Sequence, residues 1–388
     1  MYTPMHMNND GKAQSDAEPV LGFPSKRPLL TSPDKSTTTE LSVGVVVIAH
    51  DRREYLATAV ESVLAQQGAQ RLRGVVVVKN YSDELIDGYL HRLGAGLVLE
   101  KSPSIGRKAI RGVEEVEGDV ICFLEDDDTF APTKIREVTH RFESDVSLGY
   151  YQNHLRYVDA DGRELSPGVY RAKSISRRIT VPAHYLPANT KQVPRGFYAV
   201  DPGFNASSIS IRRDVISSFK NNLELMEAVL DNSLMFSALA SGTALLADNC
   251  ILTNYRIHSS NVSVWRAKGT SLQTARAARV RELEARARDF NRIANMVVSS
   301  RRSEEAKVAR AAETLLRLHA ALLVPSVGRK NVMKMVLEPI RDLRTFSIYD
   351  FLDLEMGGLT YVISPHLATH SYLGLFNAFG RFPRPDRN

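Results

Sequence analysis

Between Leu41 and Leu124 short apolar runs alternate with amphipathic stretches, and this alternation leaves few folds open. Val43 to Ala49 is a β-branched run, and Arg52 to Gln67 then puts Leu56, Val60, Val63 and Leu64 on one helical face. Asp51, with Glu54 three residues on, fits a capping box at the start of that helix. The pattern repeats: Gly74 to Val78 reads as a strand, Asp83 to Leu93 as a helix, Gly96 to Glu100 as a strand, Ile105 to Val116 as a helix and Asp119 to Leu124 as a strand. Apolar strands separated by helices predict an α/β fold, a Rossmann-like, mostly parallel sheet flanked by helices, with ligands at the carboxyl ends of the strands.

The last of these strands runs into four consecutive acids, Glu125, Asp126, Asp127 and Asp128, and Pro132 follows four residues later. Like charges bunched where a buried strand surfaces must be solvated, hydrogen-bonded or neutralised by a divalent cation. The third possibility predicts a metal-assisted enzyme.

Beyond residue 145 the pattern is mixed. Tyr150 to Val158 reads as a strand, and Asp159 to Gly162 as a turn that returns the chain as a hairpin. Asp201 to Ile211 is a loop running into a strand, a helix from about Glu227 ends at Gly242, and Thr243 to Asp248 and Ile251 to Ile257 read as two short strands. After Trp265 three helical segments follow, 271–298, 302–323 and 328–343. Residues 1–40, rich in Ser, Thr, Pro, Asp and Lys, read as a disordered tail.

The charge excess of +6 is concentrated late, where Arg266 to Arg344 holds eighteen Lys or Arg against eight Asp or Glu. No nucleic-acid-binding motif accompanies it, so no nucleic-acid partner is expected. The basic helices suit contact with an anionic membrane, packing on the rest of the chain, or a homodimer. Cys122 and Cys250, the two cysteines, sit in apolar segments and read as buried free thiols of a reducing compartment. No run of about 18 apolar residues predicts a spanning helix. Without a secretory pattern, the expected location is cytoplasmic, with the inner membrane face as the alternative.

Val45 to Gln66 resembles the opening strand and helix of family 2 glycosyltransferases of the GT-A fold. Gly118 to Asp128, Pro132 in its spacing, and Tyr255 to Ser263 resemble further family features in the same order. The resemblance covers about residues 41–265. It implies a nucleotide-binding half over 41–128, an acceptor-binding half over 129–265 and a helical C-terminal region over 266–388 outside the match. It further implies transfer of a sugar, with inversion, from a nucleotide-diphosphate sugar to a glycan, glycolipid or glycoprotein acceptor. A DXD motif would hold Mn²⁺ or Mg²⁺ against the diphosphate. The alternative is a noncatalytic relative that binds nucleotide or sugar.

Carried over position by position, the resemblance makes Asp127 the principal metal ligand, with Glu125, Asp128 and His258 beside it. Glu125 and Asp126 also lie toward the donor. Asp126 with Asp128 is the competing register. Ala49, His50, Asp51 and Arg52 match positions that approach the base and ribose. Asn80 matches a base-binding position, although Lys79 replaces an acid usual there. Gly106, Arg107, Lys108 and Arg111 match a segment beside the donor, where cations suit a diphosphate. Asp231, opening a helix, matches the catalytic base, with Glu227 one turn earlier as second candidate.

Overall fold

The computed structural model describes residues 40–166, 179–181, 203–258, 272–300 and 303–323. The expected tail and the helix expected at 328–343 lie outside these residues. Strands β1 (Val43–Ile48), β2 (Leu72–Lys79), β3 (Gly96–Leu99) and β4 (Val120–Glu125) alternate with helices α1 (Leu56–Leu64), α2 (Glu84–Arg92) and α3 (Ile105–Glu115). These four strands run parallel in the order β3-β2-β1-β4. Parallel strands joined through helices in this way are buried on both faces. Val45 and Val47 face one apolar layer with Leu56 and Val60, and Val46 and Ile48 face the other with Ala109 and Val113.

β5 (Thr129–Phe130), helix α4 (Lys134–Ser144), β6 (Leu148–Val158), β7 (Ile179–Val181) and β8 (Ile209–Arg212) come next in the chain. Two short helices, α5 (Arg213–Ser218) and α6 (Lys220–Leu223), lead to α7 (Leu230–Ser241) and β9 (Ala244–Arg256). β8 pairs antiparallel with both β4 and β6, and β6 runs parallel to β9, so one sheet continues across both halves.

Helices α8 (Leu272–Ser299) and α9 (Ser303–Leu322) are the described part of the expected C-terminal extension. Phe290, Ile293, Ala294 and Val297 of α8, with Ala306 and Ala309 of α9, complete the same apolar layer as Leu234, Met235 and Leu239 of α7. Their apolar stripes therefore pack on the α/β core. Several of the arginines on α8 and α9 are paired, among them Arg279 with Glu282 and Arg317 with Glu313. Among the described residues no helix is long and apolar enough to cross a membrane.

Two local expectations need correction. Helix α1 begins at Leu56 after Tyr55, so Asp51 is no cap and no capping box forms; Asp51 instead takes φ 58 and pairs with Asn80. The segment 244–256 is one strand and not two; the Asp248 carboxylate within it accepts from the Tyr151 hydroxyl and from the Cys250 amide. Asp159 to Gly162 forms the expected turn, and the chain returns antiparallel as far as it is described, with a Val158–Glu164 bridge and the Leu165 N–H donating to the Tyr157 carbonyl. Both cysteines are free, Cys122 buried and Cys250 half-buried.

Candidate active site

The register of the sheet sets the site. Ile48 lies beside both Val78 and Glu125, so the chain leaving β1, the chain leaving β2 and the acids at the end of β4 emerge side by side. Glu125 closes β4, and a tight turn in which Asp128 N–H reaches back to the Glu125 carbonyl brings the acids together. Carboxylate oxygens of Glu125, Asp127 and Asp128 lie within 4.8 Å of one another. Asp126, Asp127 and Asp128 are all at most 3% exposed.

Each buried acid has its own donors. Asp126 accepts from the His50 amide at 3.1 Å and from Arg52 Nη2 at 2.5 Å. Asp127 Oδ2 is 2.5 Å from Arg52 Nη1 and 3.0 Å from His258 Nε2. Asp128 accepts from the Arg256 amide and from Asn205 Nδ2, both at 3.0 Å. Arg52 thus spans two of the acids, and His258, which follows β9, joins the third ligand position from far along the chain.

Burial comes first in setting the charges. Desolvation, opposed by Arg52, pushes the Asp126 carboxyl up to about 6, and desolvation with the Asp127 charge pushes Asp128 up to about 7. Glu125 keeps some exposure but sits among like charges, and desolvation followed by Asp128, Asp127 and Asp231 holds it well above the carboxylate range. At Asp127 the desolvation is outweighed by the His258 hydrogen bond and the Arg52 charge, so it stays below its ordinary value. Asp127 is therefore the ionised centre of a cluster whose other members want a further positive charge.

The donor set fits a hard divalent cation. Carboxylate oxygens of Asp127, Glu125 and Asp128 with the imidazole of His258 are ligands that Mg²⁺ or Mn²⁺ accepts.

Asp231 sits in the first turn of α7, where its Oδ2 accepts from the Asn205 amide at 3.1 Å and its Oδ1 from the Asn232 amide at 2.8 Å. Because Asn205 also holds Asp128, one residue links the expected base to the acidic cluster. Glu227 is engaged elsewhere. It pairs with Arg288 at 2.6 Å and Arg292 at 2.8 Å, and those hydrogen bonds pull its carboxyl down to about 2.

At the first strand's end, Ala49 is buried, and Lys108 lies against it with Nζ 2.6 Å from His50 Nδ1. Burial, then the Lys108 charge, lowers the His50 pKa, which leaves an imidazole able to accept from lysine. Asp51 and Asn80 bond reciprocally, at 3.0 and 2.7 Å. Lys79 is consumed by Asp87 at 2.7 Å and by the Tyr81 carbonyl, and the Tyr81 hydroxyl donates to the Arg52 carbonyl. The cation that replaces the expected acid therefore braces the loop carrying Arg52.

The third helix contributes less. Arg107 is paired with Glu100 and Arg111 with Glu114 and Glu115, all at its surface, and neither is hydrogen-bonded to the acidic cluster. Gly106 serves packing: a Cβ there would lie 1.9 Å from the Leu223 carbonyl oxygen.

Residues not singled out from sequence complete the site. Lys134, fully buried and pushed down to about 8 by that burial, donates to the Ser207 carbonyl at 2.6 Å, to Asn153 at 2.9 Å and to Thr253 at 3.1 Å. It fixes the 205–208 turn, whose Ser207 hydroxyl accepts from the Glu125 amide at 3.0 Å. Arg256 donates to the Asp127 carbonyl and lies 4.6 Å from the centre of the Tyr55 ring. Asp289 of α8, fully buried, accepts from the amides of Glu227, Ala228 and Val229 at 2.7–3.1 Å just ahead of the helix that carries Asp231.

Residues 44–181 match the family model described as Glycosyl transferase family 2. Among solved structures the chain is similar to residues 1–349 of TarS from S. aureus in complex with UDP, at 13% identity and a TM-score of 0.45, over 90% of this chain and 94% of that one. It is also similar to another S. aureus TarS structure at 12% identity and a TM-score of 0.45, over 90% of this chain and 57% of that one. No curated protein was found to match.

Proposed function

We propose, from the match of residues 44–181 to the glycosyl transferase family 2 model, that the chain moves a sugar from a nucleotide-diphosphate sugar to a glycan, glycolipid or glycoprotein acceptor by inverting displacement. The observation that carries the reading is the junction of Asp231 with the Asp127 cluster through Asn205. Acid–base chemistry and leaving-group binding are thereby held at one place.

In this reading His50, Asp51 and Asn80 line the entry for the base and ribose, and Asp126 and Arg52 lie next to it. Asp127, Glu125, Asp128 and His258 would hold a divalent cation, Mn²⁺ or Mg²⁺, which would supply Lewis-acid neutralisation of the leaving diphosphate. Asp231 accepts the proton of the acceptor hydroxyl as that oxygen bonds to the anomeric carbon and the bond to the diphosphate breaks. A single displacement of this kind inverts the anomeric centre. Lys108, buried behind His50, keeps positive charge on the same side of the sheet.

The hexosyl nature of the sugar, a place in cell-wall or other polysaccharide assembly, and a cytoplasmic location at the membrane face extend the same proposal. For the basic helices the apolar packing of α8 and α9 on the core favours an intramolecular role over membrane contact or a homodimer. The test is incubation with Mn²⁺ and a panel of UDP- and GDP-sugars with simple glycoside acceptors. Nucleotide release that a chelator and Asp127→Ala both stop supports the proposal. Binding without release from any donor sinks it and favours a noncatalytic relative.

A further inference from the structure

Asn205 is 5% exposed yet takes a left-handed backbone conformation, φ 63. Its amide N–H and its Nδ2 are used on Asp231 and Asp128, while its Oδ1 is buried with no hydrogen-bond partner among the described residues. An unmet buried acceptor and left-handed backbone at a residue with a Cβ both cost stability. The planar amide keeps Oδ1 beside Nδ2, so the unmet acceptor lies against Asp128 at the site.

The neighbouring residue differs in kind. Phe204 is 37% exposed, large for an aromatic ring. Its ring centre is 5.9 Å from that of half-buried Tyr255, which is 5.7 Å from that of Tyr157. The result is a braced aromatic surface next to a buried carbonyl that lacks a donor. A pyranose presents the matching pair of features, an apolar C–H face and hydroxyl donors at its rim.

We infer that Phe204 and Asn205 form a pyranose subsite, the ring packing on Phe204 and one sugar hydroxyl donating to Asn205 Oδ1. Neither residue lies within the segment that matches the family. The inference rests on the glycosyltransferase reading, and the sugar held is that of the donor or that of the acceptor. Held there, it lies beside Asp231, so the subsite selects the sugar by its hydroxyl pattern as well as its shape.

The experiment is calorimetric binding in Mn²⁺ to wild type, Phe204→Ala and Asn205→Gly. The ligands are UDP against UDP-glucose and GDP against GDP-mannose for the donor sugar, and free glucose or mannose added to nucleotide-loaded protein for the acceptor. Glycine adopts φ 63 without strain and keeps the amide that holds Asp231 while losing the Nδ2 bond to Asp128, so a cooperative melt of Asn205→Gly is required first to show that it folds. Phe204→Ala should bind the bare nucleotide within about twofold of wild type, and both variants should weaken one sugar arm about tenfold more than they weaken the bare nucleotide. The arm that weakens identifies the source of the sugar. Unchanged sugar binding, or nucleotide and sugar ligands weakened equally, overturns the subsite. Wild-type protein that binds no nucleotide overturns the glycosyltransferase reading and this inference with it.

Discussion

Arg52 Nη1 lies 2.5 Å from Asp127 Oδ2, and His258 Nε2 is 3.0 Å from the same oxygen. The guanidinium lies against the contact between these two residues, which are expected to share a cation, with Nη1 itself 3.4 Å from His258. An ion that takes Asp127 Oδ2 and His258 Nε2 together competes with it for the same atoms. Arg52→Met should therefore lower the melting temperature in chelator, because two buried carboxylates lose their counter-charge. The upward shift on adding Mn²⁺ should exceed that of wild type, since no side chain competes. Equal shifts in the two proteins would contradict this competition.

The raised carboxyls give a pH dependence with a definite sign. With Asp126 near 6 and Asp128 near 7 in the folded chain, the fold holds protons that the unfolded chain, at its ordinary value near 4, has released. Stability then falls as pH rises from about 4 through 7 and levels above that. Glu227 acts in a separate window: its lowered carboxyl contributes stability above about pH 4.5 that is lost as pH falls through about 2. Urea midpoints measured in chelator at pH 5, 6, 7 and 8 should decline until about pH 7. A midpoint that climbs over this range would contradict the burial of charge assigned to the cluster.

Much of this arrangement was legible in the sequence. The β-branched runs placed β1, β2 and β4 because residues buried on both faces leave no polar position to blur them. The helix face of Leu56, Val60 and Val63 was equally plain, yet its start was misjudged. Asp51 has the chemistry of a cap, but its side chain finds Asn80, 29 residues away, and the backbone bends to φ 58 instead.

The site followed the same division. The acids, Arg52, His50, Asn80 and Lys108 converge at the strand ends, and Asp231 and His258 come to them from the second half. The resemblance put Arg107 and Arg111 beside the donor, and in the structure both pair with glutamates along the surface. Asn205 carried no local signal. Its part depends on Asp128, 77 residues earlier, and on Asp231, 26 later, and only folding brings those together.

Asp289 lies beyond the family match and supports the site from behind. Its carboxylate accepts from three successive amides before α7 and pairs with Arg292 at 2.8 Å. Asp289→Ala would leave those donors buried without an acceptor and should cost about 2–3 kcal/mol. Denaturant unfolding measures the loss directly. A loss below about 0.5 kcal/mol would mean that α8 does not anchor the helix that carries Asp231.

The central claim is that Asp231, and not Glu227, takes the acceptor proton beside the Asp127 cluster. Single-turnover nucleotide release should be measured for Asp231→Asn and Glu227→Gln with the donor and acceptor that wild type uses. The account predicts that Asp231→Asn binds nucleotide with Mn²⁺ as wild type does but transfers about a hundredfold to ten-thousandfold more slowly, while Glu227→Gln stays within about threefold. Wild-type transfer by Asp231→Asn, or loss confined to Glu227→Gln, would contradict it.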